Sequence, residues 1–152
     1  MKKVIFSILL ILVITIRISS LEIKILSEKT IYKSKEPIII NVSIINNEEN
    51  EIAVPVRFIP QDNYIRFIIV DPYGNRCEFK GYDTGTTVSD DDLIIMPPNS
   101  IITVPMDISS YYEMKRGAYG IKAYYYVSQN NKYGTPAWKG KLISNQVNIG
   151  IE

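Results

Sequence analysis

Past its first twenty residues, the chain nowhere repeats apolar side chains at helical spacing for three turns. Isoleucine, valine and tyrosine come instead in short runs that alternate with polar residues, which is the period of a strand with one buried face. Leu21-Glu22-Ile23-Lys24-Ile25 is one such run, and residues 38–45 are another, with Ile38, Ile40, Val42 and Ile44 on one side. Further strands are predicted over 52–59, 64–70, 76–80, 93–96, 101–108, 118–127 and 141–151. Pro55 places its strand at an edge or a bulge, because proline cannot donate to a ladder. Turns fall at 33–37, 46–50 and 97–100. The clearest is Asp71-Pro72-Tyr73-Gly74-Asn75, where proline pre-sets one turn position and Gly and Asn tolerate positive φ. Residues 109–117 form a connection with room for one helical turn. Short strands separated by turn signals at intervals of roughly 8–12 residues predict an all-β fold, a β-sandwich of about seven to nine strands.

The first twenty residues read differently. Lys2 and Lys3 precede an apolar run from 4 to 16, and Ser19 and Ser20 follow. This is the layout of a secretory signal peptide, so 1–20 is assigned as the signal and 21–152 as the domain. The expected location is outside the cytoplasm: extracellular, periplasmic or at the cell surface. Ile18 stands three residues back from a cut after Ser20, and an uncleaved segment is the one route by which the protein contacts a membrane. A lipoprotein anchor is disfavoured, since the single cysteine is Cys77.

Several chemistries are excluded by composition. The chain has no histidine, which removes Ser-His-Asp triads, Cys-His dyads, zinc-protease helices and blue-copper sites. One cysteine cannot form an internal disulfide, so packing alone must stabilise the domain; alternation puts Cys77 beside Phe79 as a small buried hydrophobe. Without Lys2, Lys3 and Arg17, the 17 basic residues fall to 14 against 16 acidic, a net charge of −2. No basic field is left to hold a phosphate backbone, and nucleic acid is not an expected partner.

Three blocks carry a resemblance. The first is Tyr32-Lys33-Ser34-Lys35-Glu36-Pro37, followed by a strand ending at Asn46. The second begins Asp107-Ile108-Ser109-Ser110-Tyr111-Tyr112 and continues Gly117-Ala118-Tyr119-Gly120-Ile121-Lys122-Ala123-Tyr124. The third is Trp138-Lys139-Gly140-Lys141-Leu142-Ile143-Ser144-Asn145. Together they resemble exported immunoglobulin-like modules, similar to the non-catalytic domain that accompanies deuterolysin-type metalloproteases and to the Bacillus-type intracellular proteinase inhibitor. The resemblance implies an immunoglobulin-like antiparallel β-sandwich and the accessory module rather than the peptidase, since no His-Glu-x-x-His is present. Ser34 is taken to stand where the opening turn of these modules has glycine, and Asn99 where Pro-Gly precedes a strand. A tyrosine before or at the start of the strand after Gly117, Tyr112 or Tyr119, is expected to pack inward and cap a loop backbone.

Two sets of residues are candidates for binding. The acidic loop containing Asp83, Asp90, Asp91 and Asp92 offers carboxylates for calcium, although its spacing matches no known calcium loop and a solvated loop explains it. Tyr124-Tyr125-Tyr126 must alternate in a strand, with Tyr125 facing opposite to its neighbours; with Tyr133 and Trp138 they can form an aromatic platform for peptide or sugar. No catalytic residue and no cofactor are assigned. The expected function is a non-enzymatic, exported binding or interaction module whose partner is a protein or a glycan. The alternative is a proteinase inhibitor that presents loops from a rigid sandwich.

Overall fold

The computed structural model describes residues 21–58, 60, 64–82, 90–128 and 137–152; the signal assignment at 1–20 lies outside them. The fold is all-β. Nine strands are present among the described residues: β1 (Leu21–Ser27), β2 (Ile31–Tyr32), β3 (Ile39–Asn46), β4 (Ile52–Pro55), β5 (Ile65–Val70), β6 (Leu93–Met96), β7 (Ser100–Asp107), β8 (Gly117–Val127) and β9 (Gly140–Ile151). They form three sheets, ordered β1-β3-β7, β2-β9-β8-β5 and β4-β6. Two single turns of 3₁₀ helix, Asp90–Asp92 and Ile108–Ser110, precede β6 and follow β7.

Alternation builds the core. Leu21, Ile23 and Ile25 of β1 are buried with Ile40, Val42 and Ile44 of β3. The same core cluster takes Ile65, Phe67 and Ile69 of β5, and Ile121, Ala123 and Tyr125 of β8. The inward faces of the two larger sheets therefore share one apolar interior. Each buried Leu, Ile or Phe contributes roughly 1.5–3 kcal/mol relative to exposure, and with Cys77 unpaired this burial is the main stabilising term.

Residues 21–32 belong to both large sheets. β1 pairs antiparallel with β3, the chain jogs at 28–30, and β2 pairs with the end of β9. Because the direction is kept across the jog, β2 and β9 run parallel, so the sheet is mixed where an antiparallel one was expected. The buried Tyr32 hydroxyl holds the jog: it donates to the Ile39 carbonyl (3.2 Å), accepts from Lys29 N–H (3.2 Å) and lies 2.9 Å from Ser27 Oγ. Where β1 passes β9 without backbone pairing, Asn145 fills the gap. Its amide oxygen accepts from Ile25 N–H (2.9 Å) and its amide nitrogen donates to Ile25 C=O (3.0 Å). The side chain thus acts as one rung of a missing ladder and closes the free edge of β1.

Asn145 can do this because β9 bulges. Lys122 lies opposite Gln146, but Tyr124 lies opposite Ile143, so Ser144 and Asn145 together face Ala123. The ladder bond lost there is replaced by Ser144 Oγ, which accepts from Ala123 N–H at 2.8 Å. Gly140 opens the strand at φ 154°.

Other turns follow the sequence with corrections. Asp71 accepts from Tyr73 and Asn75 N–H (2.9 and 2.8 Å), and Gly74 takes φ 86°. Residues 76–80 are not a returning strand: only single bridges, Val70 with Arg76 and Phe79 with Tyr112, are formed. The strand expected over 52–59 ends at Pro55, which sits at an edge beside β6 as proline requires. Pro105 lies in β7, likewise an edge strand. The buried Asn46 donates to the carbonyls of Asn50 (2.9 Å), Met96 (3.2 Å) and Pro97 (2.9 Å). In the opening turn the residue in the left-handed region is Lys35 (φ 67°), not Ser34; Asn99 (φ 53°) is the other non-glycine there. The turn is closed by Glu36, which accepts from Lys33 N–H (2.8 Å) and pairs with Lys29.

Two stability changes follow. Asn145→Ala leaves both edge groups of Ile25 unpaired and is expected to lower stability by about 1–3 kcal/mol, read from urea unfolding midpoints. Lys35→Gly relieves a left-handed L-residue and is expected to raise stability by up to about 1 kcal/mol in the same assay. An unchanged midpoint in Asn145→Ala contradicts its role as a rung.

Candidate functional site

The outer face of the β2-β9-β8-β5 sheet gathers the candidate side chains. β8 is flanked by β5 and β9, so its backbone groups are consumed by the ladders and only side chains face outward. Tyr125 points inward. It is fully buried, donates to the Pro55 carbonyl at 2.8 Å, stacks on Trp138 (5.8 Å, 19°) and meets Phe58 edge-on (6.1 Å, 69°). Tyr124 and Tyr126 point outward with ring centroids 6.2 Å apart and planes 34° from parallel. The structure therefore brings Tyr124 and Tyr126 together and separates them from Tyr125 and Trp138, which pack against the core. Tyr133 lies outside the described residues.

Residues not singled out from sequence complete this face. Lys141 stands opposite Tyr126 in the register and Ile143 opposite Tyr124. The Lys141 ammonium lies 5.0 Å from the Tyr124 ring centre, within cation–π range. Tyr126 is 44% exposed and Ile143 55%, a large apolar exposure for residues within paired strands. Farther along β8, the absence of a side chain at Gly120 makes room for the Gln146 and Asn148 amides to lie over it, and a hollow of about 470 Å³ opens there. Ile68 and Val70 of β5 wall it on one side, Gln146 and Asn148 of β9 on the other, and Lys122 at one end. Gln146 donates to Asn148 across the rim at 2.9 Å. The register, and hence this neighbourhood, depends on the bulge at Ser144-Asn145, which no turn residue announces.

The acidic loop does not assemble a metal site among the described residues. Asp83 and the side chain of Asp90 lie outside them. Asp91 is exposed, and Asp92 lies 3.8 Å from the Arg57 guanidinium while its carbonyl accepts from Val56 N–H at 3.0 Å. Among the described residues no three His, Cys, Asp or Glu stand close enough to hold a metal ion. Cys77 is half-buried rather than a core residue, because 76–80 runs along the edge of β5 instead of pairing as a full strand; Cys77 N–H donates to the Ile69 carbonyl at 2.9 Å. Burial, then the nearby Asp71 carboxylate, pushes its thiol above the ordinary range.

No protein-family model matches the chain, and no curated protein matches it either.

Both tyrosines expected at the loop corner are engaged. Tyr119 donates to the Lys115 carbonyl (2.9 Å), and the Tyr112 oxygen accepts from Phe67 N–H (3.0 Å) on the outer edge of β5. Arg66 lies over the Phe79 ring at 3.8 Å, and Phe79 stacks on Tyr111. Burial pushes the phenols of Tyr112, Tyr119 and Tyr125 upward, Tyr125 most. A folded pKa raised above the unfolded value of about 10 means that the neutral form is favoured in the fold. That stability is fully present below about pH 10 and is lost as pH rises through the folded pKa values. Urea midpoints are expected to be level near neutrality and to fall above about pH 10, with part of the tyrosinate absorbance appearing only on unfolding. Complete titration of all 11 tyrosines in the folded state near pH 10 contradicts this burial.

Proposed function

We propose that the chain is a non-enzymatic, exported, immunoglobulin-like β-sandwich that acts as a binding or interaction module of the cell envelope or extracellular space. The sandwich reading is supported by two larger sheets whose inward faces share one core, by a first strand that passes from one sheet to the other, and by a corner tyrosine near the start of β8. In this reading the three sequence blocks do structural work. Asp107 accepts from Ile38 N–H (3.3 Å) and Ser109 N–H (3.0 Å), Asn46 ties two turns, and Asn145 joins the sheets.

The observation that carries the functional reading is the outward cluster of half-buried Tyr124 and exposed Tyr126 with Lys141 and Ile143, on paired strands toward the end of β8 and the start of β9. Solvent offers no reward for aromatic and aliphatic surface there, whereas a partner does. The rigid sheet presents these groups at little ordering cost, which favours binding. Export by the 1–20 segment places the face where envelope or secreted molecules meet it.

Crosslinked capture from envelope and secreted fractions tests the reading. The protein is expected to retain one dominant component, and Tyr126→Ala with Lys141→Ala is expected to lose it, whereas Tyr73→Ala in the 71–75 turn keeps it. Equal retention by all variants, or retention of nothing, overturns it.

A further inference from the structure

We infer that the outer face of the β5-β8-β9 surface is a binding strip for an acidic polysaccharide that lies lengthwise along β8. The inference rests on the binding-module reading and names its ligand class.

Charge selects the sign of the ligand. The three strands β5, β8 and β9 contain Arg66, Lys122 and Lys141 but no Asp or Glu, although the chain as a whole has 16 acidic residues. Lys122 and Lys141 sit on the outward positions of β8 and β9, and among the described residues neither meets a carboxylate. The one carboxylate bordering the hollow, Asp71, is turned toward its own loop: it accepts from the N–H groups of Tyr73 and Asn75 and from the Asn75 amide (2.9 Å). A strip with cations only, on a chain whose charges otherwise nearly balance, is complementary to a polyanion.

Geometry selects the kind of polyanion. An added peptide strand binds by main-chain pairing at a sheet edge, and β8 lies between two partners with no backbone groups to give. Recognition here must come from side chains alone. The strip supplies ring faces at Tyr124 and Tyr126, ammonium groups at Lys122 and Lys141, and paired amides at Gln146 and Asn148. Rings suit the C–H faces of sugars, amides suit their hydroxyls, and ammonium groups suit their carboxylates. From Gly120 to Tyr126 the strip runs for about 20 Å, six residues at ~3.3 Å each. That is long enough for several sugar rings and ends in the hollow beside Gly120, where the Gln146 and Asn148 amides lie over the glycine.

The test is titration of ¹⁵N-labelled full-length protein with a hexamer of galacturonic acid, alongside a neutral glucose hexamer and poly-L-glutamate. The proposal expects salt-sensitive shifts confined to 120–126 and 141–148 with the uronate. It also expects binding weakened by about tenfold or more in Lys122→Gln with Lys141→Gln, and weakened in Tyr126→Ala. Equal binding of the neutral hexamer overturns the role of charge, and equal binding of polyglutamate overturns the role of the sugar. No shift with the uronate overturns the proposal. If that occurs while fraction capture still depends on Tyr126 and Lys141, the binding-module reading stands with a different partner; if capture fails as well, both fall.

Discussion

The segment 21–32 is shared between two sheets, and the rest of the molecule depends on that sharing. With no disulfide to tie the sheets, their relative placement rests on apolar packing, which is strong but non-directional. Direction comes from the few polar contacts that cross the gap. Asn145 grips the middle of β1, Tyr32 fixes the jog, and β2 then adds backbone pairs to β9. Sliding one sheet past the other breaks all three at once, so the packed arrangement has one alignment.

The same economy governs the exposed edges. A strand edge is a row of unpaired donors and acceptors that invites aggregation. Here three of the edge strands are blunted by a side chain or by chain chemistry: Asn145 occupies β1, the Tyr112 hydroxyl and the Cys77 backbone occupy β5, and Pro105 lies in β7. On the broad face of the four-stranded sheet, away from these edges, Tyr124, Tyr126, Lys122 and Lys141 stand together.

Much of the fold was legible because burial on one face imposes a two-residue period. Residues 21–25 and 38–45 could be read directly, as could the opposite orientations of Tyr125 and its neighbours. What failed to be read depended on partners distant in sequence. Residues 76–80 have strand composition, but the Tyr112 hydroxyl takes the Phe67 donor on the edge of β5 and leaves them only isolated bridges. The parallel course of β2 followed from a jog whose lock, Tyr32, is one aromatic among many. In the opening turn Ser34 is set where the resembling modules have glycine, yet the left-handed residue is Lys35, because the turn is defined by where Glu36 closes back on Lys33. The outer face was half legible: the tyrosines showed themselves, while Lys141, Ile143, Gln146 and Asn148 needed a cross-strand register that was shifted within β9.

That shift has a consequence for how β9 is written. Leu142 and Ser144 point inward on even positions; Val147, Ile149 and Ile151 point inward on odd ones. The extra residue at Ser144-Asn145 acts as a phase shifter in the middle of the strand. It lets one continuous strand carry two out-of-step alternations and still keep its greasy side in and its wet side out from end to end. Were β9 to alternate regularly from Leu142 onward, without the bulge, Gln146 and Asn148 would face the core and Val147, Ile149 and Ile151 would face water. The one-residue bulge is thus what keeps a single face of β9 turned inward along its whole length.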